Sequence, residues 1–456
     1  MKKFKMTSIT LAMLPMLSVA SSELVLPSGF SDSLEVGKTV VHSNQRLIIK
    51  NAMLASSSST VNETDQQTAA FTQRCPDTLN INTSYTLGGA QTGGSDCFHF
   101  KLDRPSKIYA FVTAQNAQTN VNLKLIRHNP DDTLTEIGAS SNEAGLDELV
   151  TTVSQAGDYY WLLEYAQADG SEFNFGVMAS EFVDSYEIND TISQSTILPD
   201  QLNKVVGNLD GILDIDHYAF EAKRGQEVLL KFLDPGNTGE FVLEYLEAGA
   251  WVEVPLAKGK LITPAQAGEY QIVRVRPNYS LPNNPASVYQ LTLGSNVASY
   301  AQHAVEPDAN MLRVPYSVQS SPYMTTQTYQ KLTWSLILQD STGHPVEGGQ
   351  AHFIKWSDYN NMAGANAEIT SAVSDAQGRI SEVIDLGRCT WGRDEAIHTQ
   401  YSMGYENRWR SRYNIGAWRV QIPSGLDSYI GIGGNRHSVV TLGHICDQDL
   451  LSSTRQ

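Results

Sequence analysis

Short runs that are either apolar throughout or alternate between apolar and polar residues recur along most of this 456-residue chain. Clusters of Asn, Asp, Gly and Pro separate them. The clearest such segments are Ile108–Val112, Val121–Ile126, Tyr159–Leu163, Val228–Phe232 and Phe241–Tyr245. Alternation with a period of two, interrupted by frequent turns, indicates antiparallel strands that bury one face. The sequence therefore predicts an all-β fold made of β-sandwiches.

Three landmarks occur twice in the same order and indicate an internal repeat. They are an Asp before an aromatic-x-Phe strand, a Gly turn before a Tyr strand, and a short aromatic strand. The first copy has them at 95–100, 156–160 and 173–175, and the second at 215–220, 267–270 and 289–291. A repeated supersecondary pattern favours two homologous units over one large domain. We expect one β-sandwich at 71–180 and a second at 181–297.

The second copy resembles a known family. The runs Asp184–Thr191, Asp214–Phe220 and Ala267–Tyr270 are similar to the bacterial pre-peptidase C-terminal (PPC) domain. The resemblance covers about 184–296 well and about 75–180 more loosely. It implies tandem jelly-roll-like β-sandwiches of a kind commonly appended to secreted proteases and collagenases as non-catalytic binding modules.

The last third has a different pattern. A strand end, a tight turn and a second strand span Leu338–Phe353, and Ser374–Ile380 is typical of a hairpin turn. Over about 330–390 these motifs are similar to bacterial immunoglobulin-like domains of the invasin type. The resemblance implies an Ig-like β-sandwich, which we place at 298–456, although the residues towards Gln456 depart from the family's pattern.

The N-terminus has the features of a secretory signal peptide at 1–20. Lys2, Lys3 and Lys5 precede the apolar run Ile9–Leu17, and small residues offer a cleavage site near Ala20. Residues 21–70 are interpreted as a linker or N-terminal extension. A second apolar run of spanning length is absent from the sequence, so no transmembrane segment is expected. These features predict a secreted or periplasmic protein.

Four cysteines are consistent with an exported chain. An even number of Cys in such a protein indicates disulfides, and three pairings of two bonds are possible. Proximity in the sequence favours Cys75 with Cys97 and Cys389 with Cys446.

The chain is acidic, with a net charge of −17 and a pI near 5.0. An acidic surface repels phosphate backbones, which argues against nucleic acid as a partner. It also supplies carboxylates that can bind divalent cations.

Two acidic stretches at the start of the second repeat predict a metal site. The residues are Glu187, Asn189, Asp190, Asp210, Asp214 and Asp216. Calcium prefers six to eight oxygen ligands from carboxylates, amides and carbonyls, which flexible loops can supply. The PPC resemblance implies the same stretches as calcium ligands, although Ser185 stands where a further acidic ligand is expected. The alternative is ordinary turn chemistry, in which Asn and Asp bond the local backbone.

A basic, aromatic segment in the last third is the second candidate site. Its members are Arg408, Trp409, Arg410, Arg412 and Tyr413. On a strand, the three Arg would share one face with the aromatic residues on the other. Such a surface suits a carboxylate, sulfate or glycan. The alternative is an amphipathic strand with a buried Trp and solvated Arg.

Catalytic motifs are absent from the sequence: it contains neither H-E-x-x-H nor G-x-S-x-G. We therefore expect no catalytic residues and predict a secreted, multidomain, non-catalytic binding or adhesion protein, stabilised by calcium, whose partner is a protein or glycan at a surface. Two alternatives remain open. One is an accessory or catalytic component of a secreted hydrolase with an active site hidden in 300–456, and the other is a structural protein of a surface layer or matrix.

Overall fold

A computed structural model describes residues 35–36, 75, 78–256, 258–311, 327–402, 405–431 and 442–455. Only the backbone is described for 35–36, 309–311, 327–328, 393–402, 405–413, 431 and, except for Cys446, 442–455. The expected signal peptide at 1–20 and almost all of the expected linker at 21–70 lie outside these residues.

The described residues form an all-β structure, as predicted. Regular structure in them consists of β-strands and two short 3-10 helices, Ile192–Gln194 and Gly364–Asn366. The five apolar or alternating segments that predict strands all lie within strands. In the described part of the chain, no helix has the length and apolar character needed to cross a membrane.

The first sandwich has two facing sheets. One has the order β1-β2-β9-β4-β7 and the other the order β3-β8-β5-β6. Its core between the sheets includes Phe100, Trp161 and Phe175, all fully buried or nearly so. The strands are β1 Glu35–Val36, β2 Thr83–Leu87, β3 Ser95–Leu102, β4 Ser106–Thr113, β5 Asn120–His128, β6 Leu134–Ser140, β7 Glu148–Ser154, β8 Gly157–Gln167 and β9 Phe173–Ser180.

The second sandwich has sheets of order β11-β18-β13-β16 and β10-β12-β17-β14-β15. Apart from β1 and β10, this is the strand order of the first sandwich, because β2 to β9 correspond in sequence to β11 to β18. The repeated landmarks lie on the corresponding strand pairs β3/β12, β8/β17 and β9/β18. The strands are β10 Thr196–Leu198, β11 Leu202–Asn208, β12 Asp216–Ala222, β13 Val228–Leu233, β14 Phe241–Glu247, β15 Ala250–Glu253, β16 Lys260–Ile262, β17 Glu269–Pro277 and β18 Val288–Ser295.

The last third forms one nine-stranded sheet system with the main path β19-β20-β27-β25-β21-β22. Trp334, Phe353 and Trp418 lie in its core. The strands are β19 Ser299–Met311, β20 Gln327–Gln339, β21 Gln350–Trp356, β22 Glu368–Val373, β23 Arg379–Asp385, β24 Trp391–Ser402, β25 Tyr405–Ser424, β26 Ser428–Gly431 and β27 Leu442–Arg455. The domain limits at 71, 181 and 298 and the Ig-like assignment stay predictions.

The expected hairpin at Ser374–Ile380 is wrong. A tight turn is present, since the Gly378 N–H donates to the Asp375 carbonyl at 2.8 Å. However, β22 before the turn pairs with β21, whereas β23 after it pairs with β20. The turn chemistry therefore fixed the local bend, but the strands on its two sides found different partners.

The two disulfides pair as sequence proximity favoured, Cys75 with Cys97 and Cys389 with Cys446. The Cys75–Cys97 disulfide packs against Ile126, Tyr160 and Leu162 on the outer face of its sheet, away from the core of the sandwich. Paired cysteines of this kind fit an extracytoplasmic protein.

An arginine joins the second sandwich to the last third. The Arg224 guanidinium donates to both carboxylate oxygens of Asp200, at 2.5 and 3.0 Å, and to Asp340 Oδ2 at 3.0 and 3.1 Å. Asp340 also accepts from the backbone N–H groups of Thr342 and His344 in the turn after β20. The arginine therefore ties a turn of the last third to the start of β11.

Candidate cation site between the first two sandwiches

Two loops of the second sandwich lie against β4 of the first. One is the lead-in at 184–191, and the other is the connection at 209–215 between β11 and β12. Leu213 packs in an apolar cluster with Tyr109 and Phe111, whose side chains extend outward from β4. This contact brings the acidic residues of both loops against the beginning of β4.

Lys107 occupies the centre of the joint and was not anticipated from the sequence. Its side chain is fully buried, and Nζ donates to Glu187 Oε1 at 2.7 Å, Asp190 Oδ1 at 2.8 Å and Asp214 Oδ1 at 2.7 Å. Asp210 Oδ2 lies 3.8 Å from the same nitrogen. One ammonium group of the first sandwich is thus surrounded by four carboxylates of the second.

Further hydrogen bonds fix the carboxylates in place. Tyr109 Oη donates to Asp210 Oδ1 at 2.9 Å, and the backbone N–H of Asp210 donates to Asp214 Oδ2 at 2.6 Å. Behind them, Tyr289 Oη donates to Asp216 Oδ2 at 2.5 Å. Held in this way, the oxygen atoms form a preorganised cluster rather than a mobile acidic surface.

Several polar atoms of the cluster form no hydrogen bond. The other carboxylate oxygen of Asp216, Oδ1, is buried without a hydrogen bond, and so are both side-chain amide atoms of Asn189. Asp190 Oδ2 and Asp210 Oδ2 are also buried and accept no hydrogen bond. A buried polar atom without a partner costs about 1–3 kcal/mol, and a bound water molecule or a cation at this place would remove that cost.

One carboxylate trio has a spacing suited to a metal ion. Ligand oxygens of Glu187, Asp214 and Asp216 all lie within 4.8 Å of one another. In the part of the chain that the structure describes, this is the one trio of His, Cys, Asp or Glu ligands with such a spacing.

The pKa values of the acidic groups reflect crowding in a buried space. Burial, followed by the charge of Asp214, raises the pKa of Glu187 from 4.5 to about 8 and that of Asp210 from 3.8 to about 8. Burial also raises the pKa of Asp190 to about 6 and that of Asp216 well above its ordinary value. For Lys107, burial lowers the pKa, but the surrounding carboxylates outweigh it and raise the pKa above its ordinary value.

The charges of the cluster do not balance. Glu187, Asp190, Asp210, Asp214 and Asp216 can carry five negative charges, whereas Lys107 supplies one positive charge. The surplus can be relieved by protonation, as the raised pKa values of the carboxyl groups indicate, or by a second cation. A hard divalent ion suits the all-oxygen donor set.

All six predicted metal-site residues lie at this joint, on both acidic stretches. The groups that complete it lie outside these stretches and were not predicted: they are Lys107 and Tyr109 from the first sandwich and Tyr289 from β18. The signal for Lys107 was a Lys directly before the apolar run Ile108–Val112, a pattern that also fits any solvated strand end.

In the first sandwich, Asp96 stands at the place that corresponds to Asp216. Its Oδ2 accepts a hydrogen bond of 2.5 Å from the Tyr165 hydroxyl, and its neighbour Cys97 is in the disulfide.

The second predicted site lies on β25. The backbone of Arg408–Tyr413 pairs with β24 on one side and β27 on the other, with an irregularity between Arg410 and Ser411. The basic face stays a prediction, because its side chains lie outside the part of the chain for which side chains are described. These are the side chains of Arg408, Trp409, Arg410, Arg412 and Tyr413.

Comparison with known proteins gives structural likeness alone. No family model matches the chain, and no curated protein matches it. Among solved structures, the pre-peptidase C-terminal domain of a collagenase from Bacillus anthracis matches with 14% identity and a TM-score of 0.19, over 22% of this chain and 92% of that one. The PBSX exported protein XepA matches with 12% identity and a TM-score of 0.19, over 46% of this chain and 86% of that one.

A third similar structure is the M60 catalytic domain with the CBM51-1 and CBM51-2 domains of Clostridium perfringens ZmpB. It has 8% identity and a TM-score of 0.16, over 47% of this chain and 34% of that one. Likeness at these TM-scores carries no argument about function.

Proposed function

We propose that this protein is an exported, non-catalytic binding protein whose first two β-sandwiches are fixed relative to each other by a calcium ion beside Lys107. The observation that carries this proposal is the set of buried, unpartnered oxygens next to a surplus of carboxylates. Such groups are costly in a folded protein unless a cation neutralises them.

The ligands of the ion would come from the oxygens that Lys107 leaves free. Glu187, Asp214 and Asp216 supply the carboxylate trio, and the unpartnered Oδ1 of Asn189 supplies a neutral oxygen. Calcium accepts such a mixed, irregular oxygen set at 2.3–2.6 Å, whereas magnesium demands near-octahedral geometry at about 2.0–2.1 Å. Extracellular calcium modules typically bind with a Kd of roughly 10⁻⁴–10⁻³ M, which suits a site filled outside the cell.

The functional effect of the ion would be rigidity. Ligands from the lead-in and from the loop before β12 belong to the second sandwich, and both loops hold Lys107 of the first. An ion that orders these loops therefore also orders the joint between the sandwiches. A rigid array presents its binding surfaces at a fixed spacing and loses less conformational entropy when it binds a partner.

Thermal unfolding with and without calcium tests this proposal. The variant Asp216→Asn removes a ligand charge but leaves the Lys107 contacts and the side-chain volume unchanged. The wild-type melting temperature should rise by several degrees at 100 times the Kd, because such saturation stabilises the native state by about 2.7 kcal/mol.

The variant should lose most of this calcium effect, whereas Asp103→Asn, at a carboxylate that is 88% exposed, should keep it. The same melting temperature for the wild type in calcium and in chelator would refute the proposal.

A further inference from the structure

A concave site lies on the outer face of the last third, on three neighbouring strands. Ile369 of β22, Ile354 of β21 and Arg419 of β25 stand side by side in register. Trp356 lies two residues further along β21 and faces the same side of the sheet. These residues line a cavity of about 390 Å³, which is within the size range of small-ligand sites.

The loop after β21 forms the wall of the cavity. It contributes Met362, Gly364 and Ala367 to the lining, and the Trp356 indole N–H donates to the Ala363 carbonyl at 3.2 Å. This hydrogen bond fixes the indole ring and anchors the loop at the edge of the sheet. The apolar part of the lining remains open to solvent, since Ile369 is 62% exposed and Met362 41% exposed.

Arg419 is the charged group of the cavity. Its guanidinium carbon lies 5.1 Å from the centre of the Trp356 ring, and Gln421 extends the polar edge along β25. Among the described residues, the buried Nε–H of Arg419 has no acceptor and the guanidinium forms no ion pair. By contrast, Arg224, Arg274 and Arg276 all bind carboxylates of the chain itself.

The electrostatic setting also favours an anion here. Residues 298–456 contain 15 Asp and Glu against 12 Lys and Arg, so this part of the strongly acidic chain is nearly neutral. An anionic ligand is repelled least at this end of the molecule.

From these contacts we infer that the Trp356–Arg419 cavity binds a carboxylate-bearing sugar residue of an acidic glycan. The inference rests on the proposed binding function and names the ligand class. The guanidinium has free donors for a bidentate contact with the carboxylate, and the Gln421 amide can bond a ring hydroxyl. The indole, Ile354 and Met362 offer apolar surface to the C–H face of the sugar ring.

Calorimetric titration of the full chain with a trimer of galacturonic acid tests the inference. The methyl-esterified trimer, a neutral glucose trimer and a tripeptide with a free C-terminal carboxylate serve as competing probes. The acidic sugar should bind, with at least tenfold weaker binding of the ester and of the other two probes. Binding should persist in chelator, because the residues that line the cavity all belong to the last third, whereas those of the proposed calcium joint belong to the first two sandwiches.

Two variants probe the cavity in different ways. Arg419→Gln should weaken binding of the acidic trimer at least tenfold. Gly364→Leu should also weaken binding, because Gly364 lines the cavity and a Cβ added there meets no other atom within 4 Å, so a larger side chain can take up space that the ligand needs. Arg379→Gln, at an exposed arginine of the same sheet system, is the matched control and should bind as the wild type does.

The inference is overturned if the trimer does not bind, if its methyl ester binds equally well, or if the tripeptide binds more tightly. It also fails if both cavity variants bind normally or if binding requires calcium. Any of these results leaves the proposed joint unaffected, since that is tested separately by the calcium effect on unfolding.

Discussion

Lys107 Nζ and Asp214 Oδ1 lie 2.7 Å apart, although one belongs to β4 of the first sandwich and the other to a loop of the second. Both side chains are fully buried, so this contact is shielded from water and salt. Exposed ion pairs contribute little to stability, but breaking a buried pair leaves an uncompensated charge.

Replacing Lys107 by Met should lower the free energy of unfolding by about 3–5 kcal/mol, the usual effect of removing one partner of a buried ion pair. Urea unfolding in chelator measures this. Lys124→Met is the control, because the Lys124–Glu164 pair is partly exposed and its loss should cost at most about 1 kcal/mol. A Lys107→Met protein as stable as the control would contradict the described joint.

Stability should depend on pH through the buried carboxyl groups. The pKa of Glu187 rises from 4.5 in a solvated chain to about 8 in the folded protein, and that of Asp210 from 3.8 to about 8. The folded state therefore binds these protons more tightly than the unfolded state. The contribution of these bound protons to the free energy of unfolding is fully present below about pH 4, and it is lost as the pH rises through about 8.

Melting temperatures from pH 5 to 9 in chelator should accordingly fall across this window, and calcium should reduce the fall because it replaces the lost protons. The double variant Glu187→Gln/Asp210→Asn should show a shallower slope. An unchanged slope in that variant would show that other groups dominate the pH dependence.

Loss of Arg224 should loosen the last third from the second sandwich. Arg224→Gln leaves the buried side chain of Asp340 without its charged partner, which should cost about 3–5 kcal/mol at this joint. Limited proteolysis should then release a fragment cut near 298 more rapidly than in the wild type. Arg104→Gln, which removes an exposed pair with Glu181, should leave the cleavage rate unchanged.

The two disulfides should contribute unequally. In the chain-entropy model the stabilisation grows with loop length, so Cys389–Cys446, with a separation of 57, should contribute more than Cys75–Cys97, with a separation of 22. Double Cys→Ser variants of each pair, compared in urea, should lose about 4 and about 3 kcal/mol respectively. Equal losses would mean that local packing outweighs loop entropy.

Local patterns in the sequence predicted much of this architecture. Short apolar or alternating runs located β4, β5, β8, β13 and β14: β5 alternates because one of its faces is buried, whereas β4 is apolar over Ile108–Val112 because both of its faces are buried. The hairpin predicted at Ser374–Ile380 is wrong because turn residues specify a bend but do not specify which strands pair on its two sides.

The acidic half of the joint was also visible in the sequence, since its six residues lie in two short stretches. The role of Lys107 could not be seen in the sequence, because its partners are 80 to 107 residues away and only the packing of one sandwich on the other brings them together. The same holds for the cavity, where Arg419 and Trp356 meet through the register of β21 and β25. Long-range contacts of this kind leave no periodic signature along the chain.

The lysine of the joint belongs to the first sandwich and the carboxylates belong to the second, and this affects how the protein can be divided into fragments. Cutting the chain between 180 and 184 would separate Lys107 from the carboxylates that bind it. The first fragment would then have an unpaired lysine, and the second would have a cluster of carboxylates without a counterion. A fragment that begins at Cys75 and ends at 297 keeps the lysine, its carboxylates and the Cys75–Cys97 disulfide together, even though each sandwich has a hydrophobic core of its own.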